Sequence, residues 1–223
     1  MSKLFATKAV LFDMDGVLLD SEPLWEESVK ETLAFYDVDY DQLHQQYDLS
    51  TTGVRIDQVV DLYCQLLPQK KIPSSVMVNK IIEVVIDKVS IAKPILPGVH
   101  ESLKLCRELG LKVGLASSSP MRVIDAITDC LNITNCFDVR VSAEALSHGK
   151  PHPAVYLCAA DKIGESPLQC ITIEDSLPGM IATKAARMSS IVIPAISDRK
   201  LPQWCLADYQ LTSLLELTPE HLK

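Results

Sequence analysis

Two aspartates one residue apart, Asp13 and Asp15, follow the apolar run Ala9 to Phe12 and are followed at once by Gly16. In extended chain, residues i and i+2 project to the same side, so both acids can face one pocket. The glycine permits a sharp exit that leaves them at the carboxyl end of a strand, where open α/β sheets bind ligands. Two carboxylates this close repel unless a cation or a proton compensates them. Taken alone, the pair also reads as a solvated acidic turn after an edge strand. Other polar residues decide between the two readings: Ser117, Lys150 and the pair Glu174-Asp175 each stand at or soon after the end of an apolar run.

The residue types specify phosphoryl chemistry. Three or four carboxylates with backbone oxygen make a hard-oxygen site suited to one Mg²⁺, with room for water and a substrate phosphate. A serine hydroxyl, a lysine ammonium and the N–H groups of strand-to-helix turns can hold phosphoryl oxygens. One carboxylate can attack phosphorus to give an aspartyl phosphate. A second can protonate the leaving alkoxide and then deprotonate the water that hydrolyses the intermediate. The two roles require two carboxylates in different environments.

The elements that must position these groups follow from hydrophobic period. Ala9 to Phe12 is too short and too abruptly ended for a helix and reads as a buried strand. Ser21 is placed to cap a helix opened by Glu22 and Pro23, with Trp25, Val29, Leu33 and Tyr36 on its apolar face. Tyr40 to Gly53 is polar and reads as irregular. Helical periods return with Ile56, Val59, Val60, Tyr63 and Leu67, and again from about Ser75 through Val89. Three helical patterns without a strand between them predict a small helical domain, residues 20–92, inserted after the first strand. Lys93-Pro94 and Leu96-Pro97-Gly98 form its return linker. From there strands and helices alternate. Strands are expected at Leu111 to Ala116, Val139 to Val141, Cys170 to Ile173 and Ser190 to Ile193, each followed or preceded by a helical pattern. The fold class is α/β: a doubly wound parallel sheet, residues 1–19 and 93–223, carrying the helical insertion.

Composition narrows the partners. The 223 residues carry a net charge of -8, which argues against nucleic acid, whose phosphates need a basic face. Seven cysteines, odd in number and without a Cys-x-x-Cys pair, fit reduced thiols in a cytoplasmic protein. No apolar run approaches membrane-spanning length, and the first eight residues lack the apolar core of a signal peptide. His148 and His152 read as surface-loop residues, and Met77 and Met121 as core.

In order and spacing, Asp13-Met14-Asp15-Gly16, Ser117, Lys150 and Glu174-Asp175 resemble the four motifs of the haloacid dehalogenase superfamily, over nearly the whole chain. The helical insertion between the first two motifs resembles the cap of the β-phosphoglucomutase-like branch. Asp20-Ser21-Glu22-Pro23, Gly53-Val54-Arg55-Ile56-Asp57, Gly114 to Ser117 and Ser147 to Pro153 look closest to its hexitol phosphatase or 2-deoxyglucose-6-phosphate phosphatase type. The resemblance implies that Asp13 is nucleophile and metal ligand, and that Asp15 is the general acid/base whose backbone carbonyl also binds Mg²⁺. It implies that Ser117 and the N–H of Ser118 bind phosphate, that Lys150 neutralises the nucleophile and phosphoryl group, and that Asp175 ligates the metal with Glu174 assisting directly or through water. Arg55 falls where relatives contact substrate, although it also reads as an exposed arginine at a helix start. Trp25 stands where the mutase branch carries a histidine; it is a substrate-contact candidate or, as is usual for an indole on an amphipathic face, core. The expected activity is hydrolysis of hexitol phosphates, hexose 6-phosphates or 2-deoxyglucose 6-phosphate by a monomer whose cap opens at Leu18–Asp20 and Lys93–Leu96. A phosphosugar mutase is the rival reading, and a non-catalytic phosphosugar-binding protein a more distant one. Asp15 disfavours dehalogenation, because a departing halide needs no proton.

Overall fold

The computed structural model describes residues 6–47, 49 and 54–223. Its sheet is built around β1 (Ala9–Phe12), whose four side chains are all buried. A strand apolar at every position has to be covered on both faces, as parallel sheets are. The remaining strands are β2 (Lys112–Ser117), β3 (Val139–Ser142), β4 (Cys170–Glu174), β5 (Ser189–Val192) and β6 (Tyr209–Gln210). All pair in parallel, in the order β3-β2-β1-β4-β5-β6. The chain works outward from β1 to β3, then crosses back to β4 on the other side of β1. The β1/β4 border is therefore the point where strand order reverses and a crevice opens at the carboxyl ends.

Helices fill both faces. Between β1 and β2 lie α1 (Glu22–Ala34), α2 (Tyr40–Tyr47), α3 (Ile56–Leu66), α4 (Ser74–Ala92) and α5 (Val99–Glu108). Next come α6 (Met121–Cys130), α7 (Ala154–Ile163) and α8 (Leu177–Ala185). Strand alternation sorts the layers. Val10 and Phe12 pack in one core with residues of α5 and α6, whereas Ala9 and Leu11 pack in another with α7 and α8. The doubly wound expectation is met.

The insertion differs from its reading in one respect. Among the described residues it holds four α-helices, with α1 and α3 packed on α4 and α2 packed on α1. Where an irregular polar segment is expected from Tyr40, α2 forms; part of that segment, including Gly53, lies outside the described residues. Only Leu43 of α2 is buried, so an apolar period is missing, yet Asp39 Oδ1 accepts the Gln42 N–H at 2.8 Å as a helix cap does. The two linkers run side by side: Asp20 N–H donates to Pro94 at 2.8 Å and Leu96 N–H to Leu18 at 3.0 Å. Met77 is buried and Met121 packs partly buried against the same core. At the far edge, the fifth strand begins one residue early, and β6 is an additional two-residue exposed strand without a hydrophobic pattern.

Candidate active site

Register brings the strand ends together. Phe12 pairs with Leu115 of β2 and Ile173 of β4, so Asp13 emerges level with Ala116, one residue short of the end of β2, and with Glu174, the last residue of β4. Its N–H continues the ladder to Ile173 at 2.9 Å, which fixes the backbone and leaves the carboxylate facing the crevice. Lys150, in the turn before α7, sends its ammonium between two acids. It lies 2.8 Å from Asp13 Oδ1 and 2.5 Å from Glu174 Oε1, with its side chain 1% exposed. The contact to Asp13 is close but off the hydrogen-bonding line, so Asp13 Oδ1 is buried without an aligned donor.

Glu174 is fully committed. Oε1 takes Lys150 and the Tyr156 hydroxyl; Oε2 takes the N–H groups of Asp175 and Ser176 and the Ser176 hydroxyl, at 3.2, 3.3 and 3.1 Å. Ser176 in turn caps α8 by accepting the Gly179 N–H at 3.1 Å. Gly179 clears the space for this: a Cβ there would come within 1.9 Å of Glu174 Oε1. Tyr156 is a site residue that the period of α7 disguises, because a tyrosine on a buried face reads as core.

Asp15 has a separate set of partners. Ser21 Oγ and Trp25 Nε1 donate to Oδ1 at 2.5 and 2.9 Å, and Ser119 Oγ donates to Oδ2 at 2.7 Å. Ser21 stands at the helix start as expected, but its hydroxyl makes no cap bond and is spent on Asp15 instead. Trp25 is half-buried against the core, and its indole edge reaches Asp15, so packing and polar contact coexist. Ser119 was hidden by its neighbours, since any of three consecutive serines can serve a strand-to-helix turn. Ser117 is buried and accepts the Ser119 N–H at 3.0 Å, while the buried Ser118 hydroxyl has no partner.

Asp13, Asp15, Ser117, Ser118 and Asp175 line one cleft of about 200 Å³, which the insertion also lines through Trp25, Tyr40, Val54, Ile56, Val59 and Tyr63. Arg55 does not line it. Its guanidinium is bound to Asp57 and to the carbonyls of Ala143 and Leu146. His148 and His152 stack on one another at 4.8 Å, outside the acid cluster.

Among the described residues, one group of three acids could hold a metal ion. Asp13, Glu174 and Asp175 bring carboxylate oxygens within 4.8 Å of one another. Burial, reinforced by Glu174, pushes the Asp13 carboxyl up to about 7 against the opposing pull of Lys150. Burial also lifts Asp175 well above the ordinary carboxylate range, with Glu174 and Asp13 adding to it. Burial alone would lower the Lys150 ammonium, but Asp13 and Glu174 outweigh it and keep the charge on. One ammonium cannot balance three carboxylates, so a divalent cation fits the donor chemistry. Asp13 and Asp175 are the acids with oxygen to give, because Glu174 is used up on Lys150, Tyr156 and the α8 turn. Gly16 leaves room for Asp175: at φ +74, a Cβ there would lie 1.9 Å from Asp175 Oδ2.

Comparison with known proteins adds an independent line. A family model described as haloacid dehalogenase-like hydrolase matches residues 7–187. The chain is 45% identical to hexitol phosphatase B of Escherichia coli (strain K12) over 214 residues, 96% of each chain. It is 30% identical to the phosphorylated carbohydrates phosphatase of Thermotoga maritima, over 86% of this chain and 88% of that one. In fold it is similar to a β-phosphoglucomutase from Clostridium difficile, with a TM-score of 0.83 over 97% of this chain and 95% of that one, at 22% identity.

Two outcomes follow from the charge balance. With a folded value of about 7 against an ordinary 3.8, Asp13 keeps a proton in the folded form that the unfolded chain has already lost. Metal-free protein should therefore lose stability as pH rises between those values, and Mg²⁺, which replaces the proton, should raise the melting temperature more at about pH 7.5 than at about pH 5. Equal shifts at both would contradict it. Gly16→Ala should displace Asp175 and weaken Mg²⁺ binding by calorimetry about tenfold or more, with the circular dichroism spectrum unchanged.

Proposed function

The chain belongs to the haloacid dehalogenase-like hydrolases, and on that premise we propose that it is a Mg²⁺-dependent phosphatase working through an aspartyl phosphate on Asp13. It is a sugar phosphatase of that family, close to hexitol phosphatase B. The substrates we propose are hexitol phosphates, hexose 6-phosphates and 2-deoxyglucose 6-phosphate. The observation that carries the mechanism is that two aspartates on one cleft floor have entirely separate partners. Asp13 stands on Lys150, and Asp15 on Ser21, Trp25 and Ser119. Different surroundings for two neighbouring carboxyls are what a division into nucleophile and acid/base requires.

In the first half-reaction an Asp13 oxygen bonds to phosphorus as the bond from phosphorus to the sugar oxygen breaks. Protonated Asp15 gives that oxygen its proton, and the alcohol departs. In the second, Asp15 takes a proton from a water whose oxygen attacks phosphorus; the bond to Asp13 breaks and phosphate leaves. Lys150 meets the charge on the phosphoryl oxygens, as do the Ser117 and Ser118 hydroxyls and the Ser118 N–H. Glu174 acts through Lys150 by fixing its ammonium. Mg²⁺ held by Asp13, Asp175 and the Asp15 carbonyl would screen the repulsion between nucleophile and phosphate.

We read residues 20–92 as a cap over a core of residues 1–19 and 93–223, with the paired linkers 18–20 and 93–96 as its hinge. Opening there would admit the sugar, and closing would exclude water. A mutase is disfavoured on chemical grounds. Moving phosphate between two positions of one sugar through a phosphoenzyme passes through a bisphosphate, whose second phosphate needs cations of its own. Apart from Lys150, which is paired with Asp13 and Glu174 beneath the cleft floor, there is neither lysine nor arginine among the described residues at the cleft. The working unit we propose is a monomer. Seven free thiols support a reducing, cytoplasmic setting. No helix among the described residues is long and apolar enough to cross a membrane.

The test is Mg²⁺-dependent phosphate release from phosphorylated hexitols, hexoses, pentoses, nucleotides and β-glucose 1-phosphate. Release is expected from hexitol and hexose phosphates, and Asp13→Asn should lose at least about 10³-fold in kcat. Conversion of β-glucose 1-phosphate to glucose 6-phosphate without release would establish the mutase instead. Binding without turnover of any sugar phosphate would establish the binding protein.

A further inference from the structure

Arg55 stands at the start of α3, on the inserted helices, and every one of its donors is spent on protein. Nε and one Nη2 proton go to Asp57, at 3.0 and 2.6 Å. Nη1 donates to the carbonyls of Ala143 and Leu146 at 3.0 and 2.8 Å, and Nη2 also reaches the Glu144 carbonyl at 3.4 Å. A guanidinium has five N–H groups, and five contacts exhaust them. The side chain is 12% exposed, so these bonds are made largely out of water, where charge-assisted bonds are strongest.

The carbonyls belong to the turn that follows β3, on the other side of the boundary between insertion and sheet. The arginine stem then lies across Gly149, the residue before Lys150. A Cβ on Gly149 would stand 2.8 Å from Arg55 Cδ and 3.1 Å from Cγ. One side chain thus ties the first turn of α3, which carries Ile56 and Val59 of the cleft wall, to the segment that delivers Lys150 to Asp13.

We propose that Arg55 is a positioning residue that clamps α3 onto the 143–149 segment when the cap is closed, setting the height of the cleft wall above Asp13, and that it makes no contact with substrate. This rests on reading the cleft as the substrate site. Asp57 belongs to the same device: by taking two donors it turns the guanidinium so that Nη1 faces the two strong carbonyl acceptors. Lysine offers three donors from a point charge and cannot serve both sides together.

Amide hydrogen exchange on the substrate-free protein separates the clamp from a substrate contact, since it needs no turnover. Arg55→Ala should speed exchange about tenfold in both the first turn of α3 and residues 143–149, with other helices unchanged. Gly149→Ala, which keeps the guanidinium but displaces its stem, should speed the same two segments. Arg55→Lys should give an intermediate effect. In steady-state assays on a sugar phosphate, both alanine variants should raise KM several-fold, and added guanidinium ion should restore KM in Arg55→Ala alone. Unchanged exchange with activity lost would assign Arg55 to the substrate, and unchanged exchange with activity intact would make it surface decoration; either overturns the clamp. Faster exchange in both segments of a protein that hydrolyses no sugar phosphate would uphold the clamp and defeat the functional reading instead.

Discussion

The site depends on one ammonium in a place where water cannot help it. Lys150 sits between Asp13 and Glu174 with its side chain all but fully buried. An isolated charge there would be expelled or neutralised, so each member is stable only because the others are present. Glu174 can act as the fixed counter-charge because Tyr156, Ser176 and two backbone N–H groups hold it still. Asp13, by contrast, has an oxygen with no aligned donor, which makes it the less restrained of the two acids. The same surroundings that hold the lysine therefore restrain the two carboxylates unequally.

Topology makes this arrangement available. Placing β1 at the centre, between β2 and β4, puts Asp13 beside the end of both strands, and the reversal at β1/β4 opens the crevice above them. The insertion leaves the sheet just after Asp15 and returns beside its own exit, so the helices it carries lie over the residues that open it. Ser21 and Trp25, the first of those helical residues, close onto Asp15 from above while Ser119 meets it from the sheet. Asp15 is thus held jointly by both parts of the chain, whereas the partners of Asp13 come from the strand ends and the turn that carries Lys150.

Much of this is legible in the residues because a buried parallel strand has a simple signature. An apolar run that stops at a polar group marks both the strand and the residue at its working end, and that locates Asp13, Ser117 and Glu174 in turn. Lys150 is legible from the turn chemistry around it and from the resemblance. What period cannot show is the partner of a polar side chain. Ser21 has the type and position of a helix cap, yet a carboxylate six residues earlier competes for its hydroxyl and takes it. Tyr156 keeps its ring in the core while its hydroxyl serves Glu174. Arg55 reads in sequence as a substrate contact before it reads as an exposed arginine, and only folding brings carbonyls 88 and 91 residues away to its donors. The helix α2 and strand β6 bury too little to leave a pattern, so tertiary packing alone reveals them.

In the proposed mechanism phosphorus passes through a covalent bond to Asp13. That step is tested by quenching the enzyme in acid during steady turnover of a hexitol phosphate, reducing with borohydride and mapping peptides by mass spectrometry. An acyl phosphate on Asp13 would be reduced to homoserine at position 13, in an amount that scales with enzyme and disappears when Mg²⁺ is withheld. Unmodified Asp13 throughout turnover, or the reduced residue at Asp15 or Asp175 in its place, would contradict the account.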